Sequence, residues 1–186
     1  FVPETRIGSM DYLCEATMRA LLNFGPKVLA DPTNYENRAE IMWIGTIAHN
    51  DTMGVGRVQD WSSHGMGHEI SALYDTAHGA TLSIMTPAWM RYILSEDTVG
   101  KFVDYAINVW GFPRSTDRFA LANMGIDATE QFFLDCGLPS HLSELGIGGE
   151  HFKEMAAAAV PYANLDTQAY VPLHEADVEA IYRACL

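Results

Sequence analysis

The residues of this 186-residue chain best suited to chemistry are histidines. Three of the seven, His64, His68 and His78, fall within fifteen positions in the segment DWSSHGMGHEISALYDTAHG, residues 60–79. On a helix His64 and His68 lie one turn apart on a shared face, with Cβ atoms about 6 Å apart. Imidazole is the commonest protein ligand for metals, and a divalent zinc or iron ion accepts two or three of them. His78 lies ten positions beyond His68, past a turn read at Asp75-Thr76-Ala77. It can therefore return to the same region from the mouth of the next helix. By spacing alone, His64 and His68 are the ligand pair. The alternative is an ordinary surface or capping pair. The third histidine and the two glycines between the pair, Gly65 and Gly67, weigh against that alternative. Each helical glycine costs about 1 kcal/mol relative to alanine, so something is expected to approach this backbone closely. Asp60 stands four before His64, at the helix entry. The metalloprotease motif HExxH is absent: Glu69 follows His68, but no histidine stands at the position the motif requires.

Positioning these side chains falls to helices, because the apolar spacing is helical nearly throughout. From Ser9 to Ala30 the inward positions are Met10, Leu13, Cys14, Thr17, Met18, Leu21 and Leu22, the spacing of an amphipathic helix. Ser9 is expected to cap it, with Asp11 favourably placed in the first turn. Gly25-Pro26 is expected to bend or restart it. Asp31-Pro32-Thr33-Asn34 reads as a turn carrying the next cap. A second helix is predicted over 35–52, with Ile41, Met42, Ile44, Gly45 and Ala48 as its packed face. Gly54-Val55-Gly56-Arg57 breaks the pattern. The histidine motif then falls on a third helix, 61–74, and at the mouth of a fourth, 79–94. The fourth is apolar nearly all round, the profile of the buried centre of a bundle. Further helices are predicted over 99–110, 116–136, 151–160 and 175–184. Gly137-Leu138-Pro139 stops one of these, and His174-Glu175-Ala176-Asp177 opens the last with acidic residues at its positive end. There is no alternating strand run, no βαβ unit, no GxGxxG and no P-loop. The fold class is read as all-α, a multi-helix bundle of seven or eight helices forming one domain over 1–186. Lacking a phosphate cradle, it is not expected to bind a nucleotide by itself.

Composition narrows the partners. Eleven Lys and Arg stand against 24 Asp and Glu, a formal net charge of −13. No basic cluster is available to neutralise phosphates, so nucleic acid and acidic lipid surfaces are not expected partners. No apolar run approaches the roughly 20 residues of a membrane span. Hydrophobic residues make up 48% and charged residues 19%, the balance of a folded chain. Cys14, Cys136 and Cys185 form no C-x-x-C and are odd in number, which reads as reduced thiols in a cytoplasmic compartment. The chain opens with Phe1, and Glu4 and Arg6 interrupt any signal-like apolar stretch. The expectation is a processed chain or part of a longer polypeptide.

Residues 60–93, DWSSHGMGHEISALYDTAHGATLSIMTPAWMRYI, resemble the iron-containing (group III) alcohol dehydrogenases, especially their butanol dehydrogenase-like branch of NAD(P)-dependent aldehyde reductases. LADPTNYENRAEIMWIGTIAHN (29–50) and FFLDCGLPSHLSELGI (132–147) support the resemblance, which extends more weakly over essentially the whole chain. Its specific part is the H-x3-H-x9-H spacing followed by Gly79 and an apolar helix containing Pro87. The resemblance implies a ligand assignment that differs from the one drawn from spacing. In the family the first and third histidines of this motif hold the metal, here His64 and His78. The middle one, here His68, lies by the nicotinamide and substrate and assists proton transfer, which makes it both the catalytic and the cofactor-facing residue. The family's other two ligands, an Asp and a His on an earlier helix, match no residue here. Asp60 and His64 mimic their spacing but belong to the later motif. The family's N-terminal α/β dinucleotide-binding domain also has no counterpart in this chain. The resemblance thus implies the C-terminal helical domain of a dehydrogenase that moves a hydride between NAD or NADP and a small alcohol or aldehyde. It further implies a divalent metal, Fe2+ or alternatively Zn2+, a homodimer when intact, and a cytoplasmic location. Two imidazoles without a carboxylate hold a metal weakly, so this chain alone is expected to be inactive.

Trp43, Trp61 and Trp89 are read as core aromatics, with pocket lining as the alternative. His49, His141, His151 and His174 are read as surface, capping or packing residues, His49 being the one worth locating. Two other readings compete with the enzymatic one. The chain could be a non-enzymatic helical module that binds a partner or self-associates through exposed apolar surface. It could also be one half of a split dehydrogenase.

Overall fold

Helix ends fall where side chains or turns satisfy the free backbone groups. In the computed structural model, which describes residues 8–186, the α-helices are α1 Gly8–Ala30, α2 Tyr35–His49, α3 Ser62–Tyr74, α4 His78–Ile93, α5 Val99–Asn108, α6 Arg118–Asp135, α7 Phe152–Ala163 and α8 Glu175–Ala184. Short 3-10 turns at Thr52–Gly54 and Leu142–Leu145 were not foreseen from the apolar spacing. No strand occurs among the described residues, and the all-α bundle is the observed architecture. The Asn37 amide donates to the Asn34 side chain at the start of α2, and the Ala120 amide to Asp117 at the start of α6. His174 and Asp177 cap α8 reciprocally. α6 ends as expected: the Leu138 amide reaches the Phe133 carbonyl at 3.0 Å and the Gly137 amide the Leu134 carbonyl at 2.9 Å.

Three local expectations are corrected. Ser9 lies inside α1 rather than capping it, although Asp11 does sit in the first turn. α1 continues through Pro26, so the restart, one of the two outcomes expected there, does not occur. Only four residues of the helix follow Pro26, and the preceding Gly25 has no Cβ for the proline ring to strike. The predicted packed face of α2 is mostly open: Ile44 is buried, but Met42 is 70% exposed and neighbouring Trp43 62%. The cause is position, since α2 packs chiefly on α1 and the Thr52–Gly54 turn, at the margin of the bundle. α7 also runs past Pro161, which lies inside it, to Ala163.

The core lies between α3 and α8. α4 is its centre, with Ile84, Met85, Trp89, Met90 and Ile93 all buried. α4 packs on α3, α6 and α8; α3 packs also on α7, and α7 on α8. The Tyr182 ring of α8 is fully buried and stacks on Phe152 of α7 with ring centroids 5.5 Å apart. Its hydroxyl donates to the Met66 carbonyl of α3 at 2.9 Å. α1 is held by charge: Asp11 accepts from Arg57 Nη1 and Lys101 Nζ, each at 3.2 Å. Among the described residues, no helix is long and apolar enough to cross a membrane.

Candidate metal centre

The glycines of the histidine motif are explained by what touches them. A Cβ on Gly65 would lie 2.5 Å from the Ala163 Cβ of α7. One on Gly67 would lie 2.8 Å from Thr81 Oγ1 and 3.5 Å from His78 Cε1 of α4. The close approach expected from the sequence is therefore made by two neighbouring helices. α3 is squeezed between them, and this brings its histidine face against the start of α4. The link from α3 to α4 is only three residues long, opened by Asp75 in the left-handed region at φ 52°. His78 is the first residue of α4, so its ring returns to α3.

The three rings meet. His78 Nε2 and His64 Nδ1 are 3.2 Å apart. Ring centroids are 4.5 Å apart for His64 and His68, and 4.4 Å apart for both His64–His78 and His68–His78. One nitrogen from each ring lies within 4.8 Å of the other two. All three residues are half-buried. Trp61 meets His64 edge-on at 5.0 Å, and Tyr162 of α7 lies 5.6 Å from His68. Two open clefts border His64. One, of about 300 Å³, runs past Trp61, Leu82, Thr86 and Trp89. The other, of about 320 Å³, runs past Tyr162, Asn164 and Gln168.

Burial pushes the His64 ring down to about pH 4 in its titration, helped by the neighbouring charges of His78, His68 and His49. Burial and then His68 lower His78 in the same direction. Near neutral pH these two rings are uncharged, the form in which imidazole has a lone pair for a cation. A four-coordinate ion with metal–nitrogen bonds of about 2.0–2.1 Å needs its donors roughly 3.3 Å apart. The 3.2 Å between His64 Nδ1 and His78 Nε2 fits that requirement.

The remaining sequence candidates separate from this centre. Asp60 is structural: Oδ1 accepts the Ser62 amide and Oδ2 the Tyr170 amide, both at 2.7 Å. His141 and His174 are capping residues, and His151 pairs with Glu154 at 3.1 Å. His49 is exposed at the end of α2, close enough to act on His64 by charge. Of the tryptophans, Trp89 is core, Trp61 lies against His64 and Trp43 faces outward. Cys14, Cys136 and Cys185 are unpaired. Two neighbours of the site escaped the sequence reading. Tyr162 comes from a segment nearly a hundred residues away, with no local signal. Thr81 shares the helical face of His78, three positions on, a spacing that could have flagged it.

Comparisons with known proteins agree with one another. Residues 7–186 match the family model described as Fe-containing alcohol dehydrogenase family, C-terminal. The chain is 39% identical over 173 residues to NADH-dependent butanol dehydrogenase A of Clostridium acetobutylicum, covering 93% of this chain and 44% of that protein. It is 38% identical over 141 residues to the NADPH-dependent aldehyde reductase YqhD of Escherichia coli, covering 75% of this chain and 35% of that protein. The crystal structure of NADH-dependent butanol dehydrogenase A from Thermotoga maritima superposes with a TM-score of 0.85 at 31% identity, over 95% of this chain and 46% of that one. The chain thus spans less than half the length of the relatives it matches.

Proposed function

Because the chain belongs to the Fe-containing alcohol dehydrogenase family, to its C-terminal part, we propose that it is the helical, metal-holding portion of an NAD(P)-linked alcohol dehydrogenase or aldehyde reductase. The convergence of three imidazoles from α3 and α4, with 3.2 Å between His64 Nδ1 and His78 Nε2, carries this reading. His64 and His78 hold a divalent ion, Fe2+ or alternatively Zn2+, as neutral imidazoles. When bound, the ion supplies Lewis-acid polarisation of the substrate oxygen, and the nicotinamide supplies or accepts the hydride. His68 projects from the same face of α3, beside both ligands and clear of the 3.2 Å contact. It would stand on the side of the nicotinamide, giving a proton to the substrate oxygen in reduction and taking it back in oxidation. Trp61 and Tyr162 flank the rings. Relatives named for butanol dehydrogenase and aldehyde reductase activity support a small alcohol or aldehyde as substrate.

Two imidazoles are too few for a tight site, so the remaining ligands and the dinucleotide surface come from outside these residues. An N-terminal α/β part supplies them, on the same polypeptide or as the other half of a split enzyme, and the whole is a homodimer. The unpaired cysteines accord with a cytoplasmic location.

The test uses full-length protein loaded with Fe2+ or Zn2+, with butanal and NADH or NADPH. His64→Ala and His78→Ala should lose bound metal and activity together. His68→Ala should keep its metal and lose about 10²–10⁴-fold in kcat. Full activity of His64→Ala at wild-type metal content would overturn the ligand roles. An unchanged rate in His68→Ala would overturn the proton role. A native protein whose intact mass is 20.6 kDa, with no second chain, would favour a stand-alone helical module instead.

A further inference from the structure

Thr81 is fully buried, one turn into α4, and its hydroxyl has two neighbours. The hydroxyl donates its only proton to the His78 carbonyl at 2.8 Å. With that proton engaged, the oxygen has only lone pairs left for His78 Nδ1, 3.5 Å away. A lone pair facing a second lone pair is repulsive, so this contact is favourable only when Nδ1 carries the ring proton. The opposite nitrogen, Nε2, then carries the free lone pair, and it faces His64 Nδ1 at 3.2 Å. The bare backbone of Gly67 makes room for this hydroxyl, since a Cβ there would lie 2.8 Å from it.

We propose that Thr81 is a positioning residue that holds His78 in its Nδ1–H form and thereby presents Nε2 to the histidine cluster. The inference rests on the reading of His78 as a metal ligand for its purpose, though not for its truth in the metal-free chain. A ligand imidazole is held by what its second nitrogen donates to, and loss of that partner weakens metal binding by about 10–100-fold. Here the partner is a hydroxyl made acceptor-only by its own helix. In the metal-free chain the 3.2 Å contact then has one direction: His64 Nδ1–H donates and His78 Nε2 accepts. Without the hydroxyl the contact can run either way, and both tautomers are populated.

The experiment compares the full-length protein, stripped of metal, with Thr81→Val, which keeps the shape, and Thr81→Ser, which keeps the hydroxyl. Long-range proton–nitrogen NMR of the metal-free ring nitrogens reports the tautomer directly. Wild type and Thr81→Ser should show His78 as Nδ1–H, and Thr81→Val a mixture. Cobalt(II) titration should give about tenfold weaker binding in Thr81→Val and near-wild-type binding in Thr81→Ser. If packing around valine perturbs the fold by circular dichroism, Thr81→Ala replaces it. A wild-type His78 in the Nε2–H form, or an unchanged tautomer in Thr81→Val, overturns the proposal. Cobalt affinity unchanged in His78→Ala would instead overturn the ligand reading, with the NMR result still deciding the tautomer.

Discussion

A carboxylate four positions before a histidine looks like a ligand, yet both oxygens of Asp60 are taken by the Ser62 and Tyr170 amides. His64 and His78 differ because burial strips them of water and no carboxylate pairs with either ring. His64 shows the consequence most strongly, titrating near pH 4 in the folded chain against 6.5 for an ordinary histidine. The unfolded chain therefore takes up a proton near pH 6.5 that the folded chain refuses until about pH 4. Between those limits acid favours unfolding, and outside them this residue adds no pH dependence. The lowered His78 acts in the same direction. Metal-free chain should lose stability as pH falls from about 6.5 to 4, and His64→Gln should lose less over the same interval. Urea midpoints measured at several pH values check this. Equal slopes in the two proteins would show that His64 does not carry the effect.

At the scale of helices, the site depends on how closely α3 is approached from both sides. Gly65 meets the Ala163 Cβ, a short rigid group on the backbone of α7. Gly65→Ala would place two methyl carbons 2.5 Å apart, so α7 must move. Overpacking of this kind costs about 1–3 kcal/mol. Tyr162 is the residue next to Ala163 and lies 5.6 Å from His68, so its ring should retreat from the cluster. The expected result is a lower denaturation midpoint together with a changed environment at His68, read by the NMR shifts of its ring. A midpoint equal to wild type would mean that α7 yields at no cost. The margin of the bundle behaves differently. α2 has a helix pattern but one buried residue, Ile44, because few elements cover it.

Across the whole molecule, the C-terminal helix braces the helix that carries His64 and His68. The Tyr182 hydroxyl links α8 to the Met66 carbonyl, between His64 and His68 in α3. Tyr182→Phe keeps the stacked ring and removes one buried hydrogen bond, a loss of about 0.5–1.5 kcal/mol. For a domain of this size that corresponds to roughly 2–4 °C in Tm per kcal/mol. Cobalt binding should be unchanged, because the histidine rings keep their packing. A Tm unchanged by calorimetry would show that the bond contributes nothing net. A large fall in cobalt affinity would show that α8 also sets the ring geometry.

Much of this was legible in the residues alone. The 3.6-residue period, the cap carried by the Asp31-Pro32-Thr33-Asn34 turn and the Gly137-Leu138-Pro139 stop are local properties, so helix order and fold class could be read directly, whereas the Asp117 cap lay inside the helix predicted over 116–136. The same holds for the histidine spacing, since residues four apart on a helix share a face whatever surrounds them. Tertiary structure alone decided which nitrogens come nearest. His64 meets His78 at 3.2 Å across a three-residue turn, and that distance depends on how two helices cross. It also decided that Tyr162 borders the cluster, that Thr81 faces Nδ1 of His78 and that Met42 and Trp43 lie open. Periodicity says which side of a helix is apolar. What comes to lie against that side depends on residues far away in the chain, and no local pattern encodes it.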